Sequence, residues 1–171
     1  MLMNTMRTHQ RGVGLMEILV ALLVLAIGVL GFIALQYRAV EATSESGYRV
    51  QAINLARDMA ERIRVNRGAI AAYENKLSET QANQITSSKD CATENCTAAE
   101  LAEYDVSQVS KKAQSTGMVM NRITCQGNSD SRSCIYVAWG DTAPTDGTDT
   151  DDCTNGASYN PTSTCLIMEV Y

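Results

Sequence analysis

The sequence predicts an α+β protein in which a long N-terminal helix, half of it transmembrane, packs on a small antiparallel sheet of three to four strands stapled by disulfides. Three observations predict this fold. Residues 13–35 are almost entirely apolar, and residues 36–68 carry an apolar stripe at helical spacing. The remaining residues, 69–171, are polar, contain short runs with strand character and hold all six cysteines. A chain of 171 residues has room for one such domain and an anchor.

The apolar segment, residues 13–35, is long enough to cross a bilayer, which takes about 20 mostly apolar residues. It contains one carboxylate, Glu17. A charge near hydrocarbon costs roughly 2.5–3.5 kcal/mol on insertion scales, so Glu17 is interpreted as functional. Gly28 and Gly31 lie in the same segment. They indicate either close packing of small residues in the membrane or a place where the helix stretches in a filament.

The leader, residues 1–12, is basic and has no apolar core of its own. Positive residues stay in the cytoplasm, so Arg7 and Arg11 predict a cytoplasmic N-terminus and an exported C-terminal domain. A cut after Gly12 would precede the apolar segment and leave the anchor on the mature protein. An uncleaved signal anchor explains the same charges, but it gives no reason for Glu17.

Residues 36–68 are expected to continue the helix as an amphipathic half that ends near Gly68, a candidate cap. Its apolar stripe recurs at spacings of three and four: Val50, Ile53, Ala56, Met59, Ala60 and Ile63. Opposite charges four residues apart support an exposed helical face: Asp58 with Arg62, and Arg57 with Glu61.

Residues 69–171 are expected to form a globular head. Residues 69–78 extend the helical pattern, and residues 98–104 and 106–113 predict two short helices. Polar composition predicts loops over residues 81–95 and 141–164. Three runs rich in Val, Ile, Tyr and Thr predict strands: Met118–Cys125, Cys134–Trp139 and Cys165–Tyr171.

The even cysteine count favours disulfides and an oxidising compartment, with zinc binding and free thiols as the alternatives. The chain has no Cys-x-x-Cys pair, and His9 in the leader is its one histidine. Six cysteines allow many connectivities, so the pairing is not derivable from the sequence. We favour sequence neighbours, each bridge adding about 2–4 kcal/mol: Cys91–Cys96, Cys125–Cys134 and Cys153–Cys165.

Composition weighs against several functions. The formal net charge is −5 although the leader is basic, and an acidic body argues against direct nucleic-acid binding. The mature chain would have no histidine for a Ser-His or Cys-His nucleophile and has no glycine-rich phosphate loop. We therefore expect no enzyme, cofactor, metal or small-molecule substrate. Residues 146–152 indicate either a calcium loop or a solvated acidic loop, but their order does not follow the Asp-x-Asp-x-Asp-Gly pattern.

The segment Arg11–Leu22 resembles the prepilin leader of type IV pilins and of type II secretion pseudopilins. The resemblance implies that a prepilin peptidase cuts between Gly12 and Val13 and that Val13 is then N-methylated. Val13 stands where the family usually has phenylalanine. The family glutamate is the fifth residue after the cut, which is Glu17 here, and it neutralises the N-terminal ammonium of a neighbouring subunit. Paired charges in a low dielectric cost much less than isolated ones.

A second segment, Asn54–Asn66, resembles the helix end of the minor pilin PilV family, also called type IV pilus modification proteins. Three later segments fit the same pattern: Cys91–Cys96, Ala102–Asp105 and Val137–Asp141. The resemblance implies a pilin-like fold and a single-pass precursor in the bacterial inner membrane, with its C-terminal domain in the periplasm. It also implies a place near the pilus tip, where minor pilins prime assembly of the major pilin.

The downstream uses that this family suggests are twitching motility, adhesion and DNA uptake. Two alternatives to a minor pilin remain open at this point. One is a minor pseudopilin of a type II secretion system, which shares the leader. The other is a membrane-anchored periplasmic binding domain that is never cleaved.

Overall fold

The computed structural model describes residues 14–127 and 129–170. The cleavage site at Gly12 and the methylation site at Val13 lie outside the described residues. The helices are α1 (Leu15–Val65), a 3₁₀ turn (Arg67–Ala69), α2 (Ile70–Leu77), α3 (Gln81–Gln84) and α4 (Ala98–Ser115). The strands are β1 (Met118–Thr124), β2 (Ser133–Trp139), β3 (Ala143–Asp146), β4 (Asp152–Asn155), β5 (Ser158–Tyr159) and β6 (Cys165–Glu169).

The chain divides into two compact units, Met1–Ser44 and Glu45–Tyr171. The described part of the first unit is the N-terminal part of α1, whose side chains are exposed almost throughout. Within residues 14–127 and 129–170, α1 is the one helix long and apolar enough to cross a membrane.

In the second unit, α1 buries one stripe at the three- and four-residue spacing that the sequence predicts. Two residues that we expected in the stripe are not buried, since Val50 is 55% exposed and Ile53 is half-buried, so the stripe begins at Ala52. The helix ends at Val65, close to the expected position, but the prediction that Gly68 caps it is wrong. The chain tightens there into the 3₁₀ turn, in which the Ala69 N–H donates to the Asn66 carbonyl at 3.0 Å. The buried residues of the stripe are Ala52, Leu55, Ala56, Met59, Ala60 and Ile63.

α4 is one helix where the sequence indicated two short ones. A capping box begins it, since the Thr97 hydroxyl accepts from the Glu100 N–H at 3.3 Å and the Glu100 carboxylate accepts from the Thr97 N–H at 2.7 Å. The helix runs on through Asp105 because this polar residue is buried on the same face as Ala102 and Val106.

The first sheet has the order β1-β2-β6 and is antiparallel throughout. The three strands predicted from the sequence form it, with ends shifted by one or two residues. β2 lies in the centre and is buried at every position. Its side chains alternate between two clusters, as the twofold period of a strand requires. Ile135, Val137 and Trp139 pack in the cluster with the helices, and Cys134, Tyr136 and Ala138 pack in the other.

A second sheet, β3-β4-β5, occupies residues 141–164, where the prediction of a loop is wrong. β3 and β4 are parallel and β4 and β5 are antiparallel. The β4 residue Cys153 lies in the cluster of Tyr136 and Ala138, so this sheet covers the far face of β2. The stretch lacks apolar alternation because polar side chains hold it together, such as the pair of hydroxyls of Tyr136 and Thr154 at 3.4 Å. The predicted loop over residues 81–95 likewise contains the short helix α3.

Three disulfides link cysteines that are neighbours in sequence, and no cysteine is free. Cys91–Cys96 closes the loop before α4. Cys125–Cys134 joins the end of β1 to β2, and Cys153–Cys165 ties the second sheet to β6. Both of the latter bridges lie in the cluster between the sheets, where they supplement a small apolar core.

Candidate assembly site

Glu17 lies in the first turn of α1 and is exposed. Its N–H donates to the Gly14 carbonyl at 2.9 Å, which begins the helix. A carboxylate in the first turn is favourable because the backbone N–H groups give that end a partial positive charge. That stabilisation is at most a small part of the cost that a charge would have in hydrocarbon.

The surface around Glu17 is apolar on every side of the helix. Leu15 is 79% exposed and Ile18 is 50% exposed, and large apolar side chains continue at similar exposure through Leu35. An exposed apolar surface of this extent marks an interaction with a membrane or with other proteins. Within the described residues, no ion pair reaches Glu17. The site can therefore pair with a cation from outside that part of the chain.

Gly28 and Gly31 lie within the uninterrupted helix of the first unit. A Cβ added at either position would meet nothing within 4 Å. The space beside both glycines is thus open to a neighbouring helix. Close packing and stretching in a filament both remain hypotheses for this pair.

A charged network in the second unit links α1, α2 and α4. The Arg62 guanidinium donates to Asp105 on α4 at 2.5 Å and to Asp58 on α1 at 2.7 Å. The Lys112 ammonium donates to Asp58 at 2.9 Å, and the Tyr73 hydroxyl donates to Asp105 at 2.5 Å. The network joins two segments that carry the family resemblance, Asn54–Asn66 and Ala102–Asp105.

The network shifts the pKa values of its members. Burial alone would raise the pKa of Asp58, but the hydrogen bonds from Lys112 and Arg62 hold it below its ordinary value. Burial opposes the charge of Arg62, yet its two carboxylate partners raise its pKa. Burial and the bond to Asp105 raise the pKa of Tyr73. The charged forms of Asp58 and Arg62 and the neutral form of Tyr73 are therefore favoured by folding.

Of the two predicted charge pairs on α1, the structure contains Asp58 with Arg62. The other is wrong, because Glu61 pairs at 2.8 Å with Arg64, three residues on, and not with Arg57. Arg57 is exposed and has no ion-pair partner among the described residues.

Trp139, the one tryptophan of the chain, secures the start of the second unit. Its indole N–H donates to the Glu45 carboxylate at 3.1 Å, and its ring stacks on Tyr48 with centroids 6.3 Å apart. Arg49 binds the same carboxylate group at 3.0 Å. The third resemblance segment, Val137–Asp141, thus contacts α1 through Trp139.

The network around Asp105 was not predicted from the sequence. The signal was present, since Asp105 interrupts an apolar stripe that runs through Ala102, Val106 and Val109. A carboxylate at a buried helix position requires a buried cation or donor. That requirement would have pointed to an arginine on the facing helix.

The acidic residues 146–152 do not gather as a metal site. Asp152 accepts from the Thr145 hydroxyl and from the Asp149 N–H, and Asp146 accepts from Thr154 and from the Gly156 N–H. Within residues 14–127 and 129–170, no group of three or more His, Cys, Asp or Glu residues is placed to hold a metal ion. Asp146 and Asp152 hold the ends of β3 and β4, whereas residues 148–151 between them are exposed, as expected for a solvated acidic loop.

An exposed apolar helix with one carboxylate in its first turn, followed by an α+β head with three disulfides, is a fold of the pilin-like class and fits a membrane-anchored protein. Two family models match consecutive parts of the chain. The prokaryotic N-terminal methylation motif matches residues 7–33, and the family described as type IV pilin Tt1218 matches residues 34–107. No curated protein and no solved structure matches significantly.

The chain is a prepilin-like type IV pilin. Its methylation motif and apolar helix fit membrane anchoring and incorporation into a pilus. Type IV pilins are structural proteins that are processed by a prepilin peptidase and assemble with other pilins.

Proposed function

We propose that this pilin is a minor subunit, similar to the PilV family, that primes or joins the tip complex of a type IV pilus and promotes its assembly. The single observation that carries the proposal is Glu17, the one acidic or basic residue among the exposed apolar side chains of residues 14–35. A membrane anchor alone has no use for this carboxylate. The PilV-like segment Asn54–Asn66 supports the choice of a minor pilin.

The proposed mechanism begins with cleavage between Gly12 and Val13. Cleavage creates an ammonium at Val13, which is then methylated and stays cationic. Glu17 is four residues further along the chain, so a helix that enters the pilus could place its carboxylate beside the ammonium of a neighbouring subunit. Pairing removes the cost of two isolated charges in a low dielectric, and it favours helices in the correct axial register.

The proposed partners are other minor pilins, the major pilin and, during processing, the prepilin peptidase. The precursor lies in the bacterial inner membrane with residues 1–12 in the cytoplasm, the helix 13–35 in the bilayer and the head in the periplasm. From there it moves into the pilus, near the tip. The role is structural, without enzymatic activity, a cofactor, or direct binding of nucleic acid.

The first experiment is mass spectrometry of the N-terminus of the accumulated protein. The expected mature chain begins with methylated Val13. Retention of Met1 or Met3 on the accumulated protein would favour the uncleaved, membrane-anchored binding domain and contradict the pilin mechanism.

The second experiment compares Glu17→Ala with Glu41→Ala in cells. Glu41 is an exposed glutamate on the same helix and pairs with Arg38 at 3.1 Å. Glu17→Ala should stay in the membrane but disappear from sheared fibres and lower pilus number, whereas Glu41→Ala should be recovered normally. Equal recovery of the two variants in sheared fibres would contradict the assembly role of Glu17.

The minor pseudopilin of a type II secretion system is the second candidate, because the methylation motif that matches residues 7–33 is common to both classes. The match to a type IV pilin over residues 34–107 favours the pilus. Deletion of the gene distinguishes them. Loss of surface pili with normal protein secretion supports the minor pilin, and the reverse result supports the pseudopilin. Co-purification with candidate minor pilins then tests the tip complex.

A further inference from the structure

β6 forms an edge of the first sheet, because it pairs with β2 on one side. Two hydrogen bonds identify the hydrogen-bonded positions: the Val170 N–H donates to the Ser133 carbonyl at 2.9 Å, and the Trp139 N–H donates to the Thr164 carbonyl at 3.0 Å. Hydrogen-bonded positions alternate along an antiparallel pair. The backbone groups of Leu166 and Met168 therefore point toward β2.

The N–H and C=O groups of the alternate residues, Cys165, Ile167 and Glu169, consequently point away from the sheet. No described residue donates to them or accepts from them. Ile167 is half-buried and Glu169 is exposed. A row of unpaired backbone groups on an edge strand is a template for another strand.

Open clefts lie at both ends of β6, and α1 supplies an arginine to each. A cleft of about 380 Å³ is lined by Arg49 together with Cys165 and Leu166. A second cleft, of about 160 Å³, is lined by Arg64 and Arg67 together with Val170. α1 therefore runs beside β6, with its residue 49 near the start of the strand and its residue 64 near the end.

Arg57 belongs to the same row, because it precedes Arg64 by seven residues, or two helical turns, and so lies on the same side of α1. Arg49 and Arg64 are paired with Glu45 and Glu61. Arg57 and Arg67 are exposed and have no ion-pair partner within the described part of the chain. The helix beside the open edge thus carries an excess of positive charge.

We propose that β6 is a docking edge for an extended, carboxylate-bearing segment of another protein, which adds as a fourth strand of the first sheet. Its backbone would pair with Ile167 and Glu169, since Cys165 is only 7% exposed, and its carboxylates would pair with Arg57 and Arg67. This surface belongs to the head and is separate from Glu17. The proposal therefore stands whether or not the proposed tip role does.

Charge also argues against two other occupants. If the β6 strands of two copies paired antiparallel, the end flanked by Arg67 in one copy would meet the end flanked by Arg49 in the other, and these like charges repel. A nucleic acid would find Glu45, Glu61 and Glu169 among the arginines, on a chain whose net charge is −5.

The test uses the full chain in non-ionic detergent and a labelled synthetic peptide in which threonine and valine alternate between terminal glutamates. Binding is measured by fluorescence anisotropy, with a lysine-flanked peptide of the same core as the control. Hydrogen exchange of the amides is measured with and without the peptide. The glutamate peptide should bind more tightly and should protect the amides of Ile167 and Glu169.

Two matched pairs of variants complete the test. Arg57→Gln should weaken binding about two- to fivefold, the effect of one exposed ion pair, whereas Lys111→Gln on α4 should leave binding unchanged. Glu169→Pro and Glu169→Ala both lose the carboxylate, but only proline removes the outward N–H. Glu169→Pro should therefore bind about two- to tenfold more weakly than Glu169→Ala.

The proposal is overturned if the lysine peptide binds as tightly as the glutamate peptide, or if the β6 amides stay unprotected. It is also overturned if a single-stranded oligonucleotide binds more tightly than the peptide. The same holds if light scattering shows that the wild-type chain forms dimers and that the Glu169→Pro variant is monomeric. Trp139 fluorescence checks the fold of each variant. The hydrogen-exchange result needs no variant, so it remains decisive if Glu169→Pro fails to fold.

Discussion

Replacing Asp105 should destabilise the head more than any other single charge change on α4. The Asp105 side chain is 10% exposed and accepts from both the Arg62 guanidinium and the Tyr73 hydroxyl. Tyr73 itself is completely buried. Asp105→Ala leaves both donors short of their acceptor, whereas Asp105→Asn keeps the shape and one acceptor oxygen but removes the charge.

The loss of unfolding free energy depends on which hydrogen-bond partners Arg62 and Tyr73 keep when the Asp105 carboxylate is removed. Removing one partner of a buried ion pair costs about 3–5 kcal/mol when the remaining charge has no compensation. Arg62 keeps its ion pair with Asp58 at 2.7 Å, and its side chain is 30% exposed. The loss of its bond to Asp105 should therefore cost well below that range. The Tyr73 hydroxyl has only a long contact of 3.4 Å to the Arg62 carbonyl in reserve, so its loss costs about 1–3 kcal/mol. We expect about 3 kcal/mol for Asp105→Ala and about 1–2 kcal/mol for Asp105→Asn.

The assay is urea unfolding of the full, oxidised chain in non-ionic detergent, followed by the fluorescence of Trp139. This residue is the one tryptophan, and it is 4% exposed, so its emission reports the packing of the head. Glu103→Ala is the control, because Glu103 lies two residues earlier on α4 and makes only an exposed bond with Ser88. The control should change the free energy of unfolding by less than about 0.5 kcal/mol. If Asp105→Ala and Glu103→Ala cost the same, the network does not stabilise the head and the reasoning is refuted.

Two further predictions concern the same domain. Folding raises the pKa of Tyr73 above its ordinary value of 10.0, so the stability that the neutral phenol contributes is complete below pH 10.0 and is lost as the pH rises through the folded value. The difference in unfolding free energy between wild type and Tyr73→Phe should therefore shrink above pH 10.0 in urea titrations, and a constant difference would contradict the shift. Gly147→Ala would bring a Cβ into steric overlap with the Asp152 carboxylate, which two hydrogen bonds hold in place, and should cost about 1–3 kcal/mol in the same assay. Gly68→Ala, where a Cβ meets nothing within 4 Å, should be neutral or slightly stabilising. Equal effects on the free energy of unfolding at the two sites would show that the loop around Asp152 moves to accommodate the Cβ.

Patterns governed by local burial were predictable from the sequence. The period of the apolar residues in α1 and the β-branched runs of β1, β2 and β6 identified the helix and the first sheet, because each element buries one regular face. The second sheet was not predictable in this way. Its strands are rich in Asp, Thr and Asn, and side-chain hydrogen bonds to Asp146 and Asp152 hold them in place of an apolar face. These hydrogen bonds depend on which residues the fold brings together, and the pattern of residues along the chain does not reveal that.

The candidate site also has a part that the sequence predicted and a part that it did not. Glu17 was found from the sequence because an isolated charge in an apolar run is visible without a structure. The network around Asp105 was missed because its partners, Arg62 and Tyr73, are 43 and 32 residues away in the chain. Hydropathy along one helix shows that a buried carboxylate needs a cation, but it does not show which one.

Glu17 and Asp105 are two instances of one physical problem, a carboxylate at an apolar helix position. The chain solves it at Asp105 with its own arginine, at 2.5 Å across two packed helices. At Glu17, the described part of the chain supplies no such cation, and the next basic residue along the helix, Arg38, binds Glu41. In hydrocarbon the same energetic requirement holds more strongly, because water cannot compensate for a missing partner. Under the proposed function, the cation for Glu17 comes from beyond residues 14–127 and 129–170, and an N-terminal ammonium made by cleavage, on this subunit or on a neighbour, would supply it. A subunit that folds alone needs a head in which each buried charge, such as Asp105, has a partner. If it also assembles through its N-terminus, it needs a helix whose charge, Glu17, is left for a partner outside the head.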